Sequence, residues 1–223
     1  MQHEILYQPS YSLLRVQLKQ GESVSAEAGA MVSMSSGVEI ETKARGGVFG
    51  ALKRSVLGGE SFFVNTFKAS SDEEVTFAPS LPGDINAISL QGNTIFAQSG
   101  AYIASSPDIQ VDTKWGGAKT FFSKEGFFLL KLSGTGDLFL SSYGAIHQVD
   151  LAVGQKYRVD TGHMVAFEES VQYAVTRVGG LKSTMFSGEG LVVELTGPGK
   201  IYLQTRSADA FLAWLIPHLP AKG

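Results

Sequence analysis

The sequence predicts an all-β protein of three tandem β-sandwich repeats around a pseudo-threefold axis, followed by one short C-terminal helix. Three observations carry that prediction. A pair of glycines eight residues apart occurs three times, at Gly21/Gly29, Gly92/Gly100 and Gly154/Gly162. The second glycine opens a similar tetrapeptide each time: Gly29-Ala30-Met31-Val32, Gly100-Ala101-Tyr102-Ile103 and Gly162-His163-Met164-Val165. Two spaced apolar residues (Val38/Ile40, Ile109/Val111, Val171/Tyr173), a Gly-Gly pair and a glutamate one residue ahead of an apolar run complete each copy. Such self-similarity marks one supersecondary unit copied and packed against its siblings. The periods, 71 and then 62 residues from glycine to glycine, exceed the roughly 20 to 50 of solenoid coils and propeller blades. A unit of that size is marginal alone, so the three copies are read as one body.

The elements follow in order. Repeat 1 takes residues 1–83, repeat 2 residues 84–144 and repeat 3 residues 145–206. Alternation of apolar and polar side chains in Leu14-Arg15-Val16-Gln17-Leu18, Val38-Glu39-Ile40-Glu41, Ile109-Gln110-Val111-Asp112 and Tyr157-Arg158-Val159-Asp160 predicts strands with one buried and one wet face. The continuous apolar runs Phe62-Phe63-Val64 and Phe127-Phe128-Leu129-Leu130 predict strands covered on both faces. Ser70–Glu73, Ser133–Asp137 and Thr196–Lys200 then read as three equivalent hairpin turns. Gly29, Gly100 and Gly162 are expected at matching turns that need φ > 0 or close approach. Within 207–223, Ser207 is a candidate cap, Phe211, Trp214 and Leu215 share a helical stripe, and Pro217 ends it.

Composition bounds the function. Charged residues are 17% of the 223, below the roughly 25% usual for soluble domains, and 26 glycines imply many tight turns. The absence of cysteine excludes disulfides, thiolate metal sites and cysteine nucleophiles. No apolar stretch reaches a membrane span and Met1-Gln2-His3-Glu4 does not open a signal peptide, so the expected location is cytoplasmic. A net charge of −3 gives no general attraction to phosphate backbones, and no nucleic-acid partner is expected.

Gly29-Ala30-Met31-Val32, followed by the Gly-rich stretch that leads to Gly58-Gly59-Glu60-Ser61-Phe62-Phe63, resembles the "altered inheritance of mitochondria" family, formerly a domain of unknown function. The likeness covers nearly the whole chain. It implies a fold similar to the tryptophan-RNA-binding attenuation protein, with three β-sandwich units per chain and further assembly of chains, but not that protein's ligands. No tryptophan pocket or RNA-contacting lysine set can be carried over to positions of this sequence.

The chemistry-bearing residues are sparse. Glu60, Glu125 and Glu189 stand at equivalent places; converging carboxylates could bind a cation, while three separate carboxylates would each accept backbone N–H bonds at a strand start, the structural role preferred here. His3, His147, His163 and His218 lack the paired spacing of a metal site, and no cofactor or metal is expected. Gly199-Lys200 is followed by Ile201 where a phosphate loop needs Ser or Thr, and no Gly-x-Ser-x-Gly elbow occurs.

The least repetitive stretch is therefore the candidate functional element. Fourteen residues separate Gly46 from Glu60, against nine and ten in the other copies. In that surplus, Phe49, Leu52 and Val56 share one helical face, and Lys53 and Arg54 form a basic cluster with Lys43 and Arg45. The segment reads either as a lid on the protein's own core or as an adaptor for a protein partner or membrane surface. The reading preferred is a non-catalytic scaffold or interaction module, with membrane association and homo-oligomer formation open to it. The alternative is a small-ligand-binding protein or enzyme with a pocket between repeats.

Overall fold

The computed structural model describes residues 1–41, 62–112, 129–177 and 191–220. Residues 1–83 supply β1 (Gln2–Leu6), β2 (Leu13–Leu18), β3 (Ser23–Glu27), β4 (Met31–Met34), β5 (Val38–Glu41), β6 (Val64–Ala69) and β7 (Glu73–Phe77). The middle third supplies β8 (Ile85–Gln98), β9 (Tyr102–Ser105), β10 (Gln110–Asp112) and β11 (Leu129–Ser141). The last third supplies β12 (Ile146–Leu151), β13 (Lys156–Asp160), β14 (Met164–Glu168), β15 (Gln172–Arg177), β16 (Leu191–Thr196) and β17 (Gly199–Gln204), then one α-helix, α1 (Ala208–Leu215). Among the described residues the protein is all-β apart from that helix and short 3-10 turns.

Pairing is antiparallel and its register recurs. Ser23, Thr94 and Lys156, each two residues past the first glycine of its pair, face Lys68, Ser133 and Thr196; Glu39, Gln110 and Gln172 approach those same three residues from the other side. A β-bulge also recurs, skipping Val32 between Met31 and Ser33, Ile103 between Tyr102 and Ala104, and Val165 between Met164 and Ala166. An extra residue of this kind bends the strand and sharpens its twist.

Strands cross from one third to the next. β3 pairs with β9 and β8 pairs with β14. Residues 85–91 of β8 and 135–141 of β11 thus join β9 to β3, β6 and β5, while residues 94–98 and 129–133 of the same two long strands join β10 to β14, β17 and β12. Two groups stay outside this ten-stranded sheet among the described residues: β1-β2-β7-β4 and β13-β16-β15.

Two expectations are corrected by the structure. The turns at Ser70–Glu73 and Thr196–Lys200 do not close hairpins, because β6 lies between β3 and β5 and β7 between β2 and β4, leaving neither an edge for the other. They carry the chain from one sheet to another, and in the middle third the same passage runs through β11 itself at Gly134 and Gly136. The second glycines do stand at matching turns, Gly29 at positive φ and Gly100 and Gly162 in 3-10 turns, where a Cβ on Gly162 would lie 2.7 Å from Ser207 Oγ; positive φ in all three thirds belongs to the first glycines, Gly21, Gly92 and Gly154. Phe63 is substantially exposed and precedes its strand instead of lying doubly covered within it.

The apolar positions pack into three clusters that also ignore the thirds. Ile103, Ala104 and Phe139 of the middle third join Leu14, Phe67 and Phe77 of the first; Phe96 and Leu129 join Phe167, Leu195 and Ile201 of the last. Leu138, Val165 and Tyr202 meet in the cluster between. Burying a side chain such as Leu or Phe contributes about 1.5–3 kcal/mol, so each third draws part of its stability from its neighbour.

Candidate interaction surface

The segments that carry the chain from one third to the next lie together. The N–H of Ser12 donates to Gly83 O (3.0 Å), Gly83 and Gly144 form a parallel bridge, and the N–H of Arg206 donates to Tyr143 O (3.2 Å). Beside them lies a shallow open cleft, lined by Glu27, Gln98, Ser141, Tyr143, Gly162, Gln204 and the start of α1 among others. Gln204 is bonded at both amide atoms: its Oε1 accepts from Tyr143 N (2.9 Å) and its Nε2 donates to Gly162 O (2.8 Å). His163 Nδ1 donates to the Gln204 carbonyl (2.7 Å), so this histidine is a structural hydrogen-bonding residue. Asp160 caps its 3-10 turn by accepting from Gly162 N (2.8 Å). Gln98, at the corresponding place in the middle third, is buried on the cleft wall, and its side-chain amide has no hydrogen bond to the described residues.

Helix α1 rises from the rim of this cleft. Ser207 caps it, its Oγ accepting from Ala210 N at 3.4 Å, and Pro217 sits in the 3-10 turn that follows, as the sequence predicts. Its stripe does not pack inward. No residue of the helix is buried: Leu212 is 45% and Trp214 61% exposed, and beyond its end Ile216 is 61% and Leu219 55% exposed. Phe211 meets Tyr143 edge to face at 6.2 Å; Trp214 stacks on Phe211 and on His218, within the same segment. From Ala208 to Pro220 only Asp209 and His218 are polar. A helix apolar around its circumference is ordinarily a buried one.

Among the described residues, β4 and β13 are each unpaired along one edge. All four residues of β4 are exposed, Val32 to 57%, while Ile103 and Val165, which hold the same bulge position, are 1% exposed. β13 is the edge of its own three-stranded group, and its outward Lys156 and Arg158 bind Glu194 at 2.8 and 2.9 Å. The Lys156 hydrogen bond, then that of Arg158, holds the Glu194 carboxyl below the ordinary carboxylate range.

The sequence-derived candidates Phe49, Leu52, Lys53, Arg54, Val56, Glu60, Glu125 and Glu189 all lie outside the described residues. The surfaces found here were missed for separate reasons. The helix was legible as a helix, but a stripe of Phe211, Trp214 and Leu215 reads as core-facing unless its partner is known to be missing. The β4 edge carries the same sequence signature as β9 and β14, which are interior strands. Among the described residues no three metal-ligating side chains come together, and no helix is long and apolar enough to cross a membrane.

Comparison with known proteins gives a consistent result. The family described as mitochondrial biogenesis AIM24 matches residues 3–206. An uncharacterized protein of Streptococcus pyogenes serotype M6 is 28% identical over 218 residues, covering 94% of this chain and 88% of its own length. The X-ray crystal structure of a Streptococcus pyogenes protein superposes with a TM-score of 0.81 at 27% identity, covering 98% of this chain and 99% of the other.

Proposed function

The chain belongs to the mitochondrial biogenesis AIM24 family, and on that footing we propose that it is a non-catalytic interaction module whose C-terminal helix docks into a groove of a protein partner. The observation that carries this reading is a helix with no buried residue and apolar side chains on every side. An interfacial membrane helix needs a polar, usually basic, face; Ala208–Pro220 contains no Lys or Arg, so a protein groove suits it better than a lipid surface. The body that carries the helix is read as three tandem repeats, 1–83, 84–144 and 145–206, like those of the tryptophan-RNA-binding attenuation protein, a reading supported by the recurring register and bulge. Val48–Leu57, with Phe49, Leu52 and Val56 beside Lys53 and Arg54, is a second contact element for partner or membrane, and a cytoplasmic location goes with the module.

The test replaces Leu212, Trp214 and Ile216 together with serine. The melting temperature is expected to stay at the parental value, and a partner cross-linked to the parent in native cells is expected to be lost. A large fall in melting temperature, with unchanged cross-links, would show the helix to be part of the core. Recovery of the parent on neutral and anionic vesicles, compared with Lys53→Glu/Arg54→Glu, separates a lipid contact from a protein one.

Gln98 favours a second reading, a small polar ligand in the cleft. A buried amide with no protein partner costs about 1–3 kcal/mol, which a ligand offering both a donor and an acceptor would offset.

A further inference from the structure

Independently of the helix, we propose that β13 of one copy of this chain adds antiparallel to β4 of a second copy, placing Val159 opposite Ser33 and Arg158 opposite Met34. The register comes from two junctions already present within the chain. At the first, Ala26 faces Ala104 and Ser25 faces Ser105; at the second, Ala97 faces Ala166 and Phe96 faces Phe167. Ala26 and Ala97 are the fifth residues after the first glycine of their pairs, and Ala104 and Ala166 the fourth after the second. The residues at those two places that have no such partner are Val159 and Ser33.

The strand groups are complementary in the same way. Each inner junction joins a β9- or β14-type edge of one third to a β3-type edge of the preceding third. Among the described residues one edge of each type is left over, β4 at the start of the series and β13 at its end. β9 and β14, engaged in such junctions, are buried along nearly their whole length; β4, of the same type, is exposed throughout and presents Met31, Val32 and Met34. Closure of β13 onto β4 within one chain would cover these residues. An unpaired, uncharged edge of this kind is a template for another strand. Because the two surfaces differ, the contact is head-to-tail and propagates into a ring or a filament instead of stopping at a twofold dimer. It is weaker than the inner junctions: Arg158 stands where Ser25 and Phe96 stand, and its charge must stay solvated or paired with Glu194. Association is therefore reversible and depends on concentration.

The chain has no cysteine, which makes the test direct. Chains carrying Met34→Cys and Arg158→Cys are prepared separately and mixed under mild oxidation. The expected result is a disulfide-linked pair in the mixture and none in either variant alone. Replacing the second chain by Lys156→Cys, two residues out of register, should abolish the link, because directly opposed Cα atoms lie within the usual 4.4–6.8 Å of a disulfide and diagonal ones at roughly 7–8 Å do not. Both substituted positions are exposed, so the fold is not at stake. Sedimentation of the unmodified protein should show a coefficient that rises with concentration. A link formed by Met34→Cys alone, an internal disulfide in the doubly substituted chain, or a monomer at every concentration with no cross-link would each overturn the proposal. Val32→Lys should remove self-association while leaving partner capture through α1 intact, so this proposal and the helix reading fail separately.

Discussion

Gly83 and Gln98 show how single residues decide what this fold tolerates. A Cβ on Gly83 would lie 1.7 Å from the Ser142 carbonyl oxygen, a backbone atom that cannot swing away. Gly83 also accepts from Ser12 N and bridges to Gly144, so displacing it strains two passages between thirds. Gly83→Ala is expected to cost about 1–3 kcal/mol, read as a melting temperature lower by roughly 2–4 °C per kcal/mol. Gln98→Met tests the opposite sign. It keeps the volume and removes the unpartnered amide, so thermal unfolding of the ligand-free protein should move up by a few degrees, on the order of 1 kcal/mol. A lower melting temperature would mean that the amide is satisfied in solution.

Elements obey the sequence in outline and depart from it in partnership. The alternation of Leu14, Val16 and Leu18 with Arg15 and Gln17 gives β2 a buried face, because successive side chains point to opposite sides of a strand. Nothing local says which strand lies beside it. The turn residues after β6 carry the usual hairpin signature, yet β6 and β7 enter different sheets because their edges are already occupied. For α1 the local signals were sufficient, from the Ser207 cap to Pro217. Ser207→Ala should cost the helix about 1 kcal/mol and quicken hydrogen exchange in Ala208–Leu215. It should leave the global unfolding midpoint unchanged, since the helix contributes no buried residue to the core. A matching fall in the global midpoint would instead tie the helix to the body.

At the scale of the whole molecule, the crossing strands tie the three thirds into one unit. Residues 1–83 alone would lose the β9 partner of β3 and the Ile103, Ala104 and Phe139 side chains of their own core. That fragment is expected to be unfolded by circular dichroism, and the full chain to unfold in a single transition seen alike by far-ultraviolet circular dichroism and by calorimetry. A folded, cooperatively melting fragment would show the thirds to be independent.

The sequence by itself determined the all-β class, the C-terminal helix and its limits, and the recurring glycine-spaced signature, because turn chemistry and side-chain periodicity are local properties. The tertiary structure alone decided that β3 reaches β9 and β8 reaches β14, that β6 and β7 part company, and that among the described residues nothing covers α1 or the edges of β4 and β13. Val32, Ile103 and Val165 carry the same local signal and differ only in what lies across from them. Exposure is a property of the neighbour as much as of the residue, and the neighbour is set by long-range pairing that no short window of sequence contains.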